Sequence, residues 1–184
     1  MRIIAGTFKG RVLESPSWEG LRPTSDRLRE TLFDILGTAI IGARVLEGYA
    51  GTGALGIEAL SRGAGHVTFV ERDSRATRLI QKNLARLSSG GPELDGRYAI
   101  IRAAFADAVG RLSPGAFDLI VLDPPYAESA ASSALEAVAP LATPATRLIL
   151  EHAARHAALT EHAGFSLQRT VRAGDSALSF YARR

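Results

Sequence analysis

The chain has 184 residues, 46% apolar and 22% charged, which describes one folded domain with a substantial core and excludes a disordered chain. It has no cysteine, so disulfides, thiolate metal sites and cysteine nucleophiles are excluded. The formal charge is +3 with a pI of about 9.7, and Lys9 and Lys82 are the only lysines, so the bases are nearly all arginine; this fits either a phosphate-bearing partner or an arginine-rich genome.

The apolar patch IIAG after Arg2 is too short for a signal peptide, and no apolar run is long enough to span a membrane. A cytoplasmic location is expected. RIIAGTFKGRVLES predicts two short strands, over 2–5 and 11–13, joined through a turn between Gly6 and Gly10. SPSWEGLRP reads as a loop. A helix is expected to start at Thr24 or Ser25, with Leu28, Leu32, Ile35 and Leu36 on one face and Gly37 at its end.

Strands then alternate with helices. Strands are predicted over 43–47, 66–71, 98–103, 117–123 and 146–152, and helices over 54–62, 74–87, 106–112 and 129–138. SSGGPELDG is the clearest loop. At the end, FSLQRTVR and SALSFYAR flank Gly174-Asp175, a hairpin signal for antiparallel strands. Alternating strands that are apolar on both faces imply a parallel sheet covered on each side, so the fold class is a doubly wound α/β domain from about residue 38.

EGYAGTGALG joins the first of these strands to its helix, and Gly51, Gly53 and Gly56 make a literal G-x-G-x-x-G with Glu71 20 residues after Gly51. Such a turn also arises wherever a strand folds tightly into a helix. Glu47 separates the candidate cofactors. At the carboxyl end of its strand, a carboxylate repels a pyrophosphate but suits the ammonium and sulfonium of S-adenosylmethionine. Glu71 can accept hydrogen bonds from ribose hydroxyls of either cofactor. Asp107 is placed either to approach an adenine edge or to cap a helix.

The run LDPPYAE follows the strand FDLIV and ends it with an acid, two prolines and a tyrosine. Pro124 and Pro125 make a stiff turn whose carbonyls remain free to accept. Asp123 and the Pro124 carbonyl can take the two hydrogens of one exocyclic amine, and Tyr126 offers a surface for a heterocycle. This suits methylation of a nucleobase amine, whose delocalised lone pair must be turned toward the methyl group.

Glycine loop plus DPPY resembles the class I amino-methyltransferases that act on nucleobases. More narrowly, MRIIAGTFKGRVLESP, GLRPTSDRLRETLFDIL, GALGIEALSRGAGHVTFVERD and GDSALSFYARR are similar, in order and over nearly the whole chain, to the bacterial RsmD family. The resemblance implies a Rossmann-like seven-stranded sheet with an antiparallel terminal hairpin and an N-terminal β-hairpin. It implies S-adenosylmethionine as cofactor and the guanine N2 amine of 16S ribosomal RNA, in a small-subunit particle, as substrate. A monomer is expected, with residues 1–20 as an RNA-contacting extension and 21–184 as the methyltransferase domain.

Carried over by position, Asp123, Pro124, Pro125 and Tyr126 form the catalytic motif. Glu47, Gly48, Tyr49, Ala50, Gly51, Thr52 and Gly53 form the methionine site, with Glu71 and Arg72 on the ribose side. Arg22, Thr24 and Arg27 border the site. The family usually has aspartate at position 47, a bulky apolar residue at 48 and phenylalanine at 49. Arg2, Lys9, Arg11 and Arg27, with Arg22 and Arg29, are candidates for an RNA footprint diluted by Glu14, Glu19, Asp26 and Glu30. His152 and His156 could share a helix face, but HAARH lacks the glutamate and third ligand of a zinc site, so no metal is expected. A methyltransferase acting on DNA adenine or another nucleobase amine, and a nicotinamide-dependent oxidoreductase or non-catalytic nucleotide-binding domain, are the other readings.

Overall fold

A computed structural model describes residues 1–18, 26–89, 94–126 and 129–184. The helices are α1 (Asp26–Leu36), α2 (Ala54–Ser61), α3 (Ser74–Ser88), α4 (Phe105–Val109) and α5 (Ala130–Val138). The strands are β1 (Arg44–Gly48), β2 (His66–Glu71), β3 (Tyr98–Arg102), β4 (Leu119–Leu122), β5 (Arg147–Ala153), β6 (Glu161–His162), β7 (Phe165–Ala173) and β8 (Ser176–Arg183). Among the described residues they form one sheet in the order β3-β2-β1-β4-β5-β8-β7-β6. β1 to β5 run parallel, and β8, β7 and β6 complete the sheet antiparallel.

The doubly wound expectation holds because the central strands bury both faces. One face packs Val45, Phe69, Val121 and Ile149 against α1, α2 and α3, and the other packs Leu46, Val70, Ile120 and Leu148 against α4 and α5. Each such side chain contributes about 1.5–3 kcal/mol by leaving water. Strand order reverses between β1 and β4, which opens a crevice at their carboxyl ends where open α/β sheets take ligands.

Several expectations are corrected. The sheet has an eighth strand, because two residues after β5 pair with β7 at the edge. The N-terminal hairpin is present but short, one antiparallel bridge between Arg2 and Val12 flanked by bonds from the Ile3 N–H to the Arg11 carbonyl and from the Leu13 N–H to the Met1 carbonyl, both at 3.0 Å. Amides that face away from the pairing bind α2: Ile4 and Ala5 donate to the buried Glu58 carboxylate, at 2.8 and 3.0 Å. Ile3, Phe8 and Leu13 are core residues, so this segment is packed onto α2 and α3. Gly6 makes the closest approach: a Cβ there would fall 1.9 Å from the Ser61 carbonyl, at a φ of +82°.

On α1 the buried face holds Leu28, Arg29, Leu32, Phe33 and Leu36, so Arg29 and Phe33 take the place expected of Ile35. The start of this helix, at Thr24 or Ser25, lies outside the described residues. His152 lies within β5, one residue from its end, and His156 lies in the following turn, so the two share no helix.

Candidate active site

Four neighbouring parallel strands deliver an acid to the same edge of the sheet. Glu71 ends β2, Glu47 lies one residue from the end of β1, Asp123 follows β4, and Glu151 lies near the end of β5. By the two-residue alternation of a strand, Glu71, Glu47 and Glu151 share the face of Phe69, Val45 and Ile149. Leu122 is in register with Leu150, which makes Asp123 and Glu151 neighbours on adjacent strands.

The glycine loop is built on two of these acids. Glu47 is buried, and its carboxylate accepts the Gly56 N–H at 2.8 Å and a hydrogen bond from the Leu55 N–H. It therefore caps α2 from outside the helix, in place of Gly53, which has no side chain to do so. Gly56 must be glycine here, since a Cβ would lie 2.6 Å from that carboxylate and 2.4 Å from the Phe69 ring. Glu71 accepts from Gly51 N–H and Asp73 N–H, both at 2.8 Å. Gly51 and Gly53 take positive φ, which lets the loop turn its backbone toward the crevice. Burial pushes Glu47 up to about 8, against the lowering effect of the two amides.

Tyr49 also has a positive φ, and its ring sits 5.0 Å from Phe105 at the start of α4. Phe105 explains the glycine at position 48: a Cβ there would meet the Phe105 ring at 2.5 Å and Leu122 at 2.6 Å. The phenylalanine fills the volume that a bulky residue at 48 would otherwise occupy.

Asp123 N–H donates to the Gly48 carbonyl at 3.3 Å, which sets the DPPY turn beside the glycine loop. Its carboxyl is only partly exposed, and its pKa is raised well above the usual range, by burial first and then by Glu151 and Glu47. Pro124 is buried and Pro125 exposed. Tyr126 remains 37% exposed, while its hydroxyl donates to Glu151 at 3.0 Å and lies 2.8 Å from the Ser176 hydroxyl. The ring is thus held by its tip with its body available for stacking. Its phenol is pushed up to about 12, chiefly by burial.

Other candidates fall around this centre. Arg72 and Asp107 are exposed on β2 and α4's flanks, and Arg72 is near enough for its charge to act on Tyr49. Ala50, Thr52 and Gly53 are buried within the loop. Arg2, Lys9 and Arg27 are exposed. Arg11 is half-buried and donates to the Leu87 carbonyl at 2.9 Å, so it also fastens the N-terminal segment to α3. Arg29 is fully buried, which removes it from any RNA footprint. Arg22 and Thr24 lie outside the described residues. Among those described, no group of three or more side chains is arranged to hold a metal, and no helix is long and apolar enough to cross a membrane.

The family model described as Conserved hypothetical protein 95 matches residues 1–182. The chain belongs to this family, the RsmD family. Ribosomal RNA small subunit methyltransferase D of Escherichia coli K12 is 41% identical over 126 residues, 68% of this chain and 60% of that relative. The protein of the same name in Haemophilus influenzae Rd is 40% identical over 136 residues, covering 73% of this chain and 68% of the relative. The matched stretch thus spans 60% of the length of the Escherichia coli relative. Among solved structures, the candidate methyltransferase yhhF of Escherichia coli superposes with a TM-score of 0.84 and 32% identity, over 100% of this chain and 98% of that one.

One residue of the site, Glu151, carries no sequence signal that singles it out, and one footprint candidate, Arg29, is misplaced by the sequence. Glu151 is hidden inside the strand TRLILEH, although it lies near that strand's carboxyl end as Glu47, Glu71 and Asp123 do in theirs. Arg29 was read as surface charge. No sequence pattern on a short amphipathic helix separates a buried arginine from an exposed one.

Proposed function

We propose that this protein methylates the exocyclic N2 amine of a guanine in 16S ribosomal RNA, on the small-subunit particle, with S-adenosylmethionine as cofactor. One observation carries the reading: the hydrogen bond from Asp123 N–H to the Gly48 carbonyl, which sets an amine-binding carboxylate directly against the glycine loop. The names of the Escherichia coli and Haemophilus influenzae relatives support ribosomal RNA as the substrate class. The residues fit the cofactor, because the crowded acids that raise the Glu47 and Asp123 pKa values are relieved by a cation and would be opposed further by a pyrophosphate.

S-adenosylmethionine supplies an electrophilic methyl group on a sulfonium. The chain's own part is positioning and electrostatics. Glu71 and Glu47 fix the loop that receives the methionine and ribose. Asp123 and the Pro124 carbonyl accept the two amine hydrogens, aim the nitrogen lone pair into the crevice and offset positive charge as it develops. Tyr126, held at its hydroxyl by Glu151, replaces the stacking that the base loses when it leaves its neighbours. Residues 1–20 contact RNA through Arg2 and Lys9, and 21–184 carry the methyl transfer.

The test is single-turnover methylation of assembled small subunits, followed by mass mapping of the nucleosides. Wild-type protein yields N2-methylguanine, and Asp123→Asn, which turns a donor toward the substrate amine, slows the step by ~100- to 1000-fold. Methyl groups found on adenine, or an Asp123→Asn rate equal to wild type, would overturn the proposal.

A further inference from the structure

Asp123 does not stand alone at the edge of the sheet where it would hold an amine. Leu122 pairs in register with Leu150, so the next residues, Asp123 and Glu151, lie side by side on strands about 4.8 Å apart. Glu151 is 3% exposed, and its Oε1 accepts from the Tyr126 hydroxyl at 3.0 Å. It lines one cavity together with Pro124, Pro125 and Tyr126, the residues that follow Asp123 in the turn. Register, hydrogen bond and cavity lining thus all put a buried acid next to the amine-binding motif.

Holding Tyr126 does not require a second charge there. The Ser176 hydroxyl already lies 2.8 Å from the phenol oxygen, and a neutral amide would hold the tyrosine as well. Two neighbouring carboxylates oppose each other's charge, a cost that a tyrosine anchor alone does not explain. A carboxylate has about four acceptor sites, so the bond from Tyr126 leaves it able to take another donor. Such an edge suits a substrate that presents two adjacent donors, and nucleobase amines differ on this point. On its Watson–Crick side, the N2 amine of guanine adjoins the ring N1–H, a donor. The amines of adenine and cytosine adjoin a ring nitrogen that accepts, and a carboxylate repels its lone pair. A base taken out of its stack is read by hydrogen bonds to this edge.

We propose that Glu151 accepts the N1–H of the target guanine while Asp123 holds its amine, and so selects guanine over the other amine-bearing bases. The assignment rests on the methyl-transfer reading above and goes beyond it in naming the group that chooses the base. Small subunits would be reconstituted with 2-aminopurine in place of the target guanine. This base keeps the N2 amine but carries a lone pair at N1. Single-turnover methylation by the wild-type protein should be about 10- to 100-fold slower on 2-aminopurine, the scale of one hydrogen bond to a charged group. Glu151→Gln keeps an acceptor for Tyr126 and turns an NH2 to the base, so the gap between the two bases should narrow by about 10-fold. Each ratio is taken within one protein, so altered ionisation of Asp123 cancels, and the O6 that 2-aminopurine also lacks is missing for both proteins alike. Tyr126→Phe cuts the tie to Glu151 but leaves the carboxylate, and should keep the wild-type ratio. Wild-type rates on 2-aminopurine equal to those on guanine overturn the assignment and leave methyl transfer intact. So does a Glu151→Gln protein that keeps the full preference, or a Tyr126→Phe protein that loses it, since Glu151 would then act only through the tyrosine. Wild-type protein that methylates neither base brings down the methyl-transfer reading, and the assignment with it.

Discussion

Asp123 and Glu151 stand side by side, and their closeness sets a pH dependence. Burial and then the charges of Glu151 and Glu47 raise the Asp123 pKa, so the ionised, amine-accepting form fills only as pH rises. Methylation should therefore show an acid limb. Glu151→Gln removes one of those charges yet still accepts from the Tyr126 hydroxyl, so the limb should move to lower pH; a limb that stays in place would mean Glu151 exerts no control over Asp123. Glu47 gives a second, separate signal. Its carboxyl titrates near 8 in the fold and near 4.5 when unfolded, so between these values only the native state holds the proton. Its contribution to stability is complete below about 4.5 and is lost as pH rises to about 8. Melting temperatures of ligand-free protein should fall across that window, and Glu47→Gln should flatten the decline. Identical slopes in both proteins would refute this. At this scale the sequence was informative wherever a residue type is unusual in its place: an acid before two prolines, or glycines at the first strand-to-helix turn. Glu151 escaped notice because its partner, the Tyr126 hydroxyl, lies 25 residues away, and Arg29 was placed on the surface because the fold alone buries it.

At the scale of elements, the N-terminal segment carries the sharpest prediction. It docks through backbone groups, with Glu58 and Ser61 receiving or supplying bonds to residues 4–8. Gly6→Ala would force a Cβ into the Ser61 carbonyl at a left-handed φ, and should cost about 2–3 kcal/mol in urea unfolding. Lys9→Gln touches none of these bonds. It should leave unfolding unchanged while lowering particle affinity and the salt dependence of binding. A Lys9→Gln protein with an unaltered salt slope would argue that this segment serves only to cover α2 and α3. The segment's pairing was legible from its turn glycines, but its docking was not, because Glu58 and Ser61, which take the amides of Ile4, Ala5 and Phe8, lie far along the chain. The central strands and α3 were legible because burial on both faces, or a strong apolar stripe with Asp73 capping its start, leaves a single solution.

For the whole molecule, the parallel sheet and its antiparallel end followed from the alternation of elements and the Gly174-Asp175 turn, whereas the two-residue β6 carries too little pattern to be read. The same architecture imposes an order in time. Ile4 is bonded to Glu58, 54 residues on, and Arg11 to Leu87, 76 residues on. Contacts of such separation close late, after local helices and neighbouring strands have formed. As the chain emerges during synthesis, its first residues have nowhere to settle until α3 has followed them. Pulse-labelled hydrogen exchange during refolding should show the amides of Ile4 and Ala5 gaining protection no earlier than those of α3. The surface proposed to meet RNA would thus be the last part of the protein to mature, and an incomplete chain would be unable to present it.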